Sequence, residues 1–190
     1  HADEGPRLSR HARDRAPGVV RAGDPTLAGL TLGKRNRGAP GFGGYDLVPM
    51  DFQKLIAARY SVRAYRPDAV SEPLLLEVLE AARLAPSACN RQPYRVVVIR
   101  TKGREEELLR IYPKEWFVKA PLLLAVCAVP DEAWARTRHD GWSAAETDAT
   151  IATDHMLLAA ADAGLGTCWI AAFDPVAARE VLGLPEGVVP

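Results

Sequence analysis

The sequence has few cysteines, no net charge and no long apolar run, and each of these absences excludes a class of protein. Its 3 cysteines are odd in number and form no Cys-x-x-Cys pair, which argues against a disulfide framework or a cysteine zinc site. Basic and acidic residues are equal at 24 each, so overall charge gives no argument for nucleic acid or an anionic membrane as partner. No run of about 18 apolar residues and no secretory signal is visible. We therefore expect a reduced, cytoplasmic protein with no nucleic-acid or membrane partner.

Residues 1–49 differ in composition from the rest of the chain. Of these 49 positions, 14 are Gly or Pro, and the apolar residues follow no helical or strand period. Such a segment buries too little apolar surface to offset its chain entropy, so we predict disorder over residues 1–49. Its charge of +3 (8 basic and 5 acidic residues) also allows a basic arm for nucleic acid, although the charge is weak and aromatic residues are scarce. One interpretation is that Met50 is the native start of a globular part, residues 50–190.

From Met50 onward the apolar pattern predicts a mixture of helices and buried strands. Val96-Val97-Val98-Ile99 and the run from Leu122 to Val129 are continuous apolar stretches, typical of strands covered on both faces. Ser143-Ala144-Ala145-Glu146 has the spacing of a capping box and opens a long helix, and Asp174 has the character of a helix cap. The predicted helices cover residues 51–60, 71–85, 105–112, 143–163 and 174–182, and residues 168–170 form a short extended piece.

Residues 59–63, Arg-Tyr-Ser-Val-Arg, combine groups that suit an anion, and we name them the arginine segment. An arginine fork matches a phosphate with two parallel hydrogen bonds, and the hydroxyl of Ser61 can donate to the same group. The segment is therefore a candidate phosphate site. Two solvated arginines at a helix end would give the same pattern, because short arginine motifs are common.

Two further stretches carry groups that suit a flat, polar ligand. The amide loop, residues 85–93 (Ala-Pro-Ser-Ala-Cys-Asn-Arg-Gln-Pro), lies between a helix and a buried strand, and Asn90 and Gln92 offer both donors and acceptors. The glycine segment, residues 164–174 (Gly-Leu-Gly-Thr-Cys-Trp-Ile-Ala-Ala-Phe-Asp), follows the long helix, and its small residues leave backbone N–H groups accessible. Taken singly, the amide loop is also an ordinary helix-to-strand connection, and the glycine segment a helix end followed by a strand.

The arginine segment, the amide loop and the glycine segment, in this order and spacing, resemble those of the nitroreductase-like FMN-dependent oxidoreductase family. The resemblance extends from Met50 to Pro190. It implies a mixed α/β (α+β) fold, with a mixed central sheet wrapped by helices, assembled as a homodimer that binds FMN at each dimer interface. Relatives continue with a further strand, a basic phosphate-binding residue and a tail that embraces the partner subunit. We expect this C-terminal strand and tail to be missing here, which would weaken FMN binding and the dimer.

The resemblance also implies roles for individual residues. Arg59 and Ser61 would hold the FMN phosphate, and Arg63 would lie near the N1/O2 edge of the flavin, where a cation stabilises the anionic reduced ring. The amide loop would reach the flavin from the other subunit, and the glycine segment would present backbone N–H groups near N5 and O4. Relatives usually carry glycine where this chain has Ala171-Ala172, a change that leaves the backbone donors in place. The implied cofactor-binding residues are Arg59, Tyr60, Ser61, Arg63, Pro86, Ser87, Ala88, Asn90, Gln92, Ile170, Ala171 and Ala172.

The function implied by the resemblance is transfer of hydride from NADH or NADPH through flavin N5 to a nitroaromatic, quinone or similar small-molecule acceptor. The flavin carries this chemistry, so no residue is predicted as a nucleophile or as an obligatory acid or base. His155 is predicted to pack or to cap, and no metal site is predicted, because no second ligand stands at suitable spacing from it. A flavin-binding protein without efficient turnover is the alternative.

Overall fold

The computed structural model describes residues 19–21 and 51–190, and its sheet has three strands in the order β1-β2-β3 with both neighbouring pairs antiparallel. β1 is Val19–Arg21, β2 is Tyr94–Arg100 and β3 is Leu122–Ala128. β2 and β3 pair along their whole length, from Tyr94 opposite Ala128 to Arg100 opposite Leu122. They contain the two apolar runs predicted as buried strands, so both predictions are confirmed.

The edge strand β1 comes from the Gly- and Pro-rich N-terminal part of the chain. Val19 pairs with Val97 and Arg21 pairs with Arg95. The rest of residues 1–49 lies outside the described residues, as does the basic arm considered for it. The disorder predicted for that part therefore stays a prediction.

Six helices accompany the sheet in the described part of the chain, and the sequence predicts all but the shortest. Asp174 caps the last helix by accepting from two backbone N–H groups, and Gly183 ends it in the left-handed conformation. The predicted capping box is wrong, because the long helix begins at Ala145 and the Ser143 hydroxyl accepts from the Ala145 N–H. None of these helices combines the length and the apolar character that crossing a bilayer would need. The helices are α1 Phe52–Ala58, α2 Glu72–Leu84, α3 Glu105–Ile111, α4 Glu115–Val118, α5 Ala145–Asp162 and α6 Pro175–Leu182.

The core consists of two apolar layers, one on each face of the sheet. Alternate residues of β2 belong to different layers, as the two-residue period of a strand requires: Val96 joins the first layer, and Val97 and Ile99 join the second. The first layer packs α2 and α5 against the sheet, and the second packs α3 and α6. This arrangement of helices around an internal sheet confirms the predicted α+β fold class.

The last residues of the chain lie against β3. The backbone N–H and carbonyl of Val189 exchange hydrogen bonds of 2.8 and 2.7 Å with Ala128. Arg179 of α6 donates to the carbonyls of Pro185 and Val188 over 2.9 and 2.7 Å. The last residues of the chain are therefore held at the sheet by one antiparallel residue pair.

Tyr94→Phe is expected to destabilise the fold by about 1 kcal/mol, because it removes one of the two donors to the Ala82 carbonyl. Tyr94 is 1% exposed, and its hydroxyl donates to Ala82 over 2.7 Å. Burial, with the Asp148 carboxylate as the second cause, raises the pKa of Tyr94 from 10.0 to about 12. The unfolded chain therefore loses this proton first, so the stability of the wild-type protein falls as the pH rises from about 10 to about 12.

Urea unfolding of Tyr94→Phe and of the wild-type protein, at neutral and at alkaline pH, measures both effects. The variant should be less stable at neutral pH and should lose less stability on the alkaline side. Equal stability at neutral pH, or an equal alkaline loss, would contradict this account of Tyr94.

Candidate functional site

The arginine segment and the glycine segment lie side by side, although they are far apart in the sequence. The Val62 N–H donates to the Thr167 carbonyl over 2.8 Å, and Ser61 and Thr167 form a parallel bridge. Residues 168–170, predicted as a short extended piece, form no strand in the structure. The bridge lies at Thr167, the residue before them. The fold thus brings together two of the three stretches in which the sequence predicts ligand contacts.

Gly166 makes this close approach possible. A Cβ added to Gly166 would lie 2.8 Å from Cγ2 of Val62 and 3.2 Å from its Cβ, which is closer than side chains approach each other. The sequence predicts a tight exit from the helix at the glycines, and this holds for Gly164, which has a φ of +74°. At Gly166 the reason is contact with Val62, so a larger residue would push the two segments apart.

No carboxylate of the described residues forms an ion pair with the guanidinium group of Arg59 or Arg63. Seven arginines in the described ranges form ion pairs with Asp or Glu, and neither Arg59 nor Arg63 is among them. Arg59 directly follows α1, is half-buried, and donates its backbone N–H to the Leu55 carbonyl over 3.1 Å. Tyr60, Ser61 and Arg63 are exposed. Two unpaired cations on either side of a hydroxyl provide the groups that an anionic ligand requires.

Arg63 lies against an aromatic cluster. Its guanidinium carbon is 5.8 Å from the centroid of the Trp116 ring. Tyr112 packs edge-on against Trp116 and Phe117, with ring centroids 5.7 and 5.5 Å apart. A cation over an aromatic face is attracted to the ring without losing its charge. Trp116 therefore orients Arg63 and leaves it positive.

Tyr65 is hydrogen-bonded to the arginine segment. Its hydroxyl donates to the Val62 carbonyl over 2.7 Å. Burial, with Cys168 as the second cause, raises the pKa of Tyr65 to about 12, although Arg63 opposes the increase. The hydroxyl therefore remains a neutral donor at physiological pH. Tyr65 was not predicted from the sequence, although a position two residues after Arg63 would place both on one face of an extended segment.

The backbone N–H groups of Ile170, Ala171 and Ala172 have no acceptor among the residues that the structure describes. Ala171 and Ala172 are exposed, and Ile170 is half-buried. Further along the segment, the Asp174 N–H donates to the Ile111 carbonyl over 2.9 Å and fixes the chain there. A run of unpaired donors can bind the acceptor edge of a ligand, which is the role predicted for these residues.

The amide loop adopts an unusual backbone conformation for its residues. Cys89, Asn90 and Gln92 have φ values of 53°, 53° and 48°, in the left-handed region that residues with a Cβ rarely adopt. The Ser87 hydroxyl accepts from the Gln92 N–H over 3.0 Å, and Gln92 Nε2 donates to the Arg83 carbonyl over 2.7 Å. One end of the Gln92 amide therefore holds the loop to α2, while Asn90 is exposed.

The amide loop is joined to α5 and to the segment after β3. The Ala88 N–H donates to Oδ1 of Asp148 over 3.0 Å, and the Arg91 guanidinium donates to the Ala133 carbonyl over 3.1 Å. Within residues 51–190, no hydrogen bond or ion pair joins the loop to the arginine or glycine segment. Pro86, like Asn90, is exposed, and Ser87 and Ala88 are half-buried. The tip of the amide loop, Cys89 and Asn90, is thus exposed to solvent.

Comparison with known proteins gives consistent matches. The profile of the nitroreductase family matches residues 56–117 and 109–189, which contain all three segments. A candidate NADH dehydrogenase/NAD(P)H nitroreductase of Archaeoglobus fulgidus is 32% identical over 141 residues, 72% of this chain and 78% of that protein. An FMN reductase (NAD(P)H) of Bacillus subtilis is 30% identical over 140 residues, 72% of this chain and 52% of the reductase. The crystal structure of a nitroreductase family protein from Clostridium difficile 630 matches with a TM-score of 0.68 at 38% identity, covering 74% of this chain and 80% of that one.

Proposed function

Because the chain belongs to the nitroreductase family, we propose that it is an FMN-dependent oxidoreductase that moves reducing equivalents from NADH or NADPH to a nitroaromatic, quinone or similar small-molecule acceptor. Relatives named for NAD(P)H nitroreductase and FMN reductase activity support NAD(P)H-dependent oxidoreduction. The observation that carries the proposal is the junction between Val62 and Thr167. It joins the segment that carries Arg59 and Arg63 to the segment that carries the N–H groups of residues 170–172, and none of these groups has an ion-pair or acceptor partner among the described residues. An elongated ligand with an anionic end and a polar, planar edge would use both kinds of group.

The phosphate end of FMN fits the arginine segment. Arg59 and Arg63 carry charges that no described carboxylate balances, and the Ser61 hydroxyl lies between them. Arg59 and Ser61 would bind the phosphate by charge-assisted hydrogen bonds. The half-buried position of Arg59 limits the competition of water for these bonds.

The ring end of FMN fits the glycine segment and Arg63. The N–H groups of Ile170, Ala171 and Ala172 would donate to the N5 and O4 edge, while Arg63 would lie near N1 and O2. When bound, FMN supplies hydride acceptance and donation at N5. Arg63, held by Trp116 at 5.8 Å, would favour negative charge on the ring, and the backbone donors would orient it.

A homodimer with FMN at each interface is part of the same proposal. The tip of the amide loop is exposed, and no hydrogen bond in the described part of the chain connects it to the other two segments. Phe52, Ile56 and Tyr60 are exposed, large and apolar, and they lie on α1 or directly after it. A second copy that covers this surface would bury apolar area and could bring its own amide loop to the flavin.

A reduced, cytoplasmic setting also belongs to the proposal. Cys89, Cys127 and Cys168 are all free thiols. Burial raises the pKa of Cys127 to about 11, which keeps it protonated. An exposed thiol such as Cys89 persists best where disulfides are kept reduced.

The purified protein is expected to bind FMN and then to oxidise NADH or NADPH when a nitroaromatic acceptor is present. FMN is titrated into flavin-free protein while flavin fluorescence is followed, and nicotinamide oxidation is then measured with and without nitrobenzoate. Failure to take up FMN would overturn the proposal. Binding without turnover would instead favour the flavin-binding protein considered as the alternative.

Riboflavin, which lacks the phosphate, provides the matched control ligand. It should bind at least about tenfold more weakly than FMN, because the charge-assisted hydrogen bonds of the arginine segment are lost. Equal affinity for the two flavins would show that the arginine segment is not the phosphate site.

A further inference from the structure

Asp148 is a buried acidic residue that contacts the amide loop. It lies in the first turn of α5 and is 3% exposed. Its Oδ1 accepts from the Ala88 N–H over 3.0 Å, and its Oδ2 is buried with no hydrogen-bond partner in the described part of the chain. Burial of a carboxylate with an unpaired oxygen opposes folding. The residue therefore needs an explanation other than the packing of α5.

The amide loop needs an anchor, because its conformation is unfavourable in isolation. Cys89, Asn90 and Gln92 are all left-handed, and none of them is glycine. Ser87 closes the loop internally through the Gln92 N–H. Among the described residues, Asp148 is the one group outside residues 87–92 that accepts a hydrogen bond from a backbone N–H of residues 87–92. Removing this acceptor would release the loop towards extended conformations.

α5 also connects the anchor to the glycine segment of the same chain, which in the proposed homodimer would contact the other flavin. Asp148 lies at the beginning of the helix, and the glycine segment follows directly after the helix ends at Asp162. The same rigid element thus positions the amide loop at one end and the unpaired N–H groups of residues 170–172 beyond the other.

We propose that Asp148 is a positioning residue for flavin binding. Its carboxylate holds the Ala88 N–H and fixes the left-handed conformation that presents Asn90 to the ring. The inference rests on the proposed function, because it assumes that the amide loop contacts FMN. It predicts that the hydrogen-bond acceptor at position 148 matters, whereas the negative charge does not.

Asp148→Ala is expected to weaken FMN binding about tenfold and to accelerate amide hydrogen exchange in the amide loop, since the acceptor of the Ala88 N–H is lost. Asp148→Asn retains an acceptor for Ala88 and should bind FMN within about threefold of the wild-type protein, with slow loop exchange. FMN affinity is measured by fluorescence titration, and exchange is measured by mass spectrometry on flavin-free protein.

Two control variants separate this role from a general loss of stability. Asp154 is exposed on the same helix, so Asp154→Ala should leave FMN binding unchanged. The buried Thr101 hydroxyl donates to the Ala120 carbonyl at the other end of β2, so Thr101→Val should lower stability without changing loop exchange. Normal FMN affinity in Asp148→Ala would overturn the inference, as would equally weak binding by Asp148→Asn.

Ala88→Pro tests the same hydrogen bond from its other side and covers the case in which Asp148→Ala does not fold. Proline lacks the N–H group, and Ser87 already has the extended conformation that a following proline requires, with a ψ of 156°. Loop exchange in this variant should rise in flavin-free protein, and unchanged exchange would contradict the anchor. If the wild-type protein bound no FMN, the proposed function would fail, whereas the exchange measurements would still decide whether Asp148 anchors the loop.

Discussion

Arg59→Ala is expected to weaken FMN binding by roughly 10- to 100-fold, because a hydrogen bond between charged groups contributes about 1.5–3 kcal/mol. Arg59 is half-buried, and its backbone is fixed by the bond from its N–H to the Leu55 carbonyl. Its guanidinium is not paired with a carboxylate of the described residues, so no competing ion pair must be broken when a phosphate binds. Fluorescence titration of FMN measures the loss.

Three comparisons sharpen this prediction. Arg59→Lys keeps the charge but not the planar fork, so its affinity should lie between those of the wild-type protein and Arg59→Ala. Arg66→Ala removes an arginine whose side chain is 90% exposed and paired with Asp68 at 3.3 Å, and it should bind FMN normally. Riboflavin should bind equally to Arg59→Ala and to the wild-type protein. Unchanged FMN affinity in Arg59→Ala would show that the phosphate lies elsewhere.

β2 and β3 were predictable from the sequence because apolar side chains on both of their faces pack into the core. Val96 and Val97 belong to different core layers, and such strands appear as continuous apolar runs that need no tertiary information to recognise. The last helix was equally predictable, since Asp174 and Gly183 act locally as its cap and its end. β1 was not predictable, because its pairing depends on a neighbour that is distant in the chain.

The candidate site was predictable as three segments, but its geometry was not. Nothing in the sequence of either segment shows that Val62 bonds to Thr167, because this hydrogen bond depends on the path of the chain between them. The left-handed residues of the amide loop were missed because turn signals point to glycine, and Cys89, Asn90 and Gln92 have side chains.

Asp148 was missed for a different physical reason. The buried face of α5 consists mainly of alanine, so the contrast between its inward and outward sides is small. Ile151 and His155, one turn apart on α5, are half-buried. Asp148 is instead buried, as are Ala152 and Met156. An acidic residue in the first turn of a helix is ordinarily explained by its favourable interaction with the helix dipole. The sequence therefore does not indicate that Asp148 also contacts the amide loop.

Gly166→Ala is expected to destabilise the protein by about 1–3 kcal/mol, the range found when a side chain is forced into a packed site. Gly166 does not have a positive φ, so its backbone conformation suits alanine. The loss of unfolded-state entropy alone would then stabilise the variant by about 0.4–1 kcal/mol. The contact of 2.8 Å with Cγ2 of Val62 outweighs this gain, because a β-branched side chain cannot rotate away.

The same substitution should also weaken FMN binding, by about tenfold, since it separates the arginine segment from the glycine segment. Val62→Ala removes Cγ2 and Cγ1, which lie 2.8 and 3.3 Å from the added methyl group, and leaves Cβ at 3.2 Å, so the double variant should recover most of the stability and FMN affinity that Gly166→Ala loses. The four proteins form a double-mutant cycle, with urea unfolding and FMN titration as the two measurements. Strictly additive effects would show that the close contact between Gly166 and Val62 does not hold the two segments together. If the double variant recovers both the free energy of unfolding and the FMN affinity, the contact between Gly166 and Val62 supports both the stability of the protein and flavin binding.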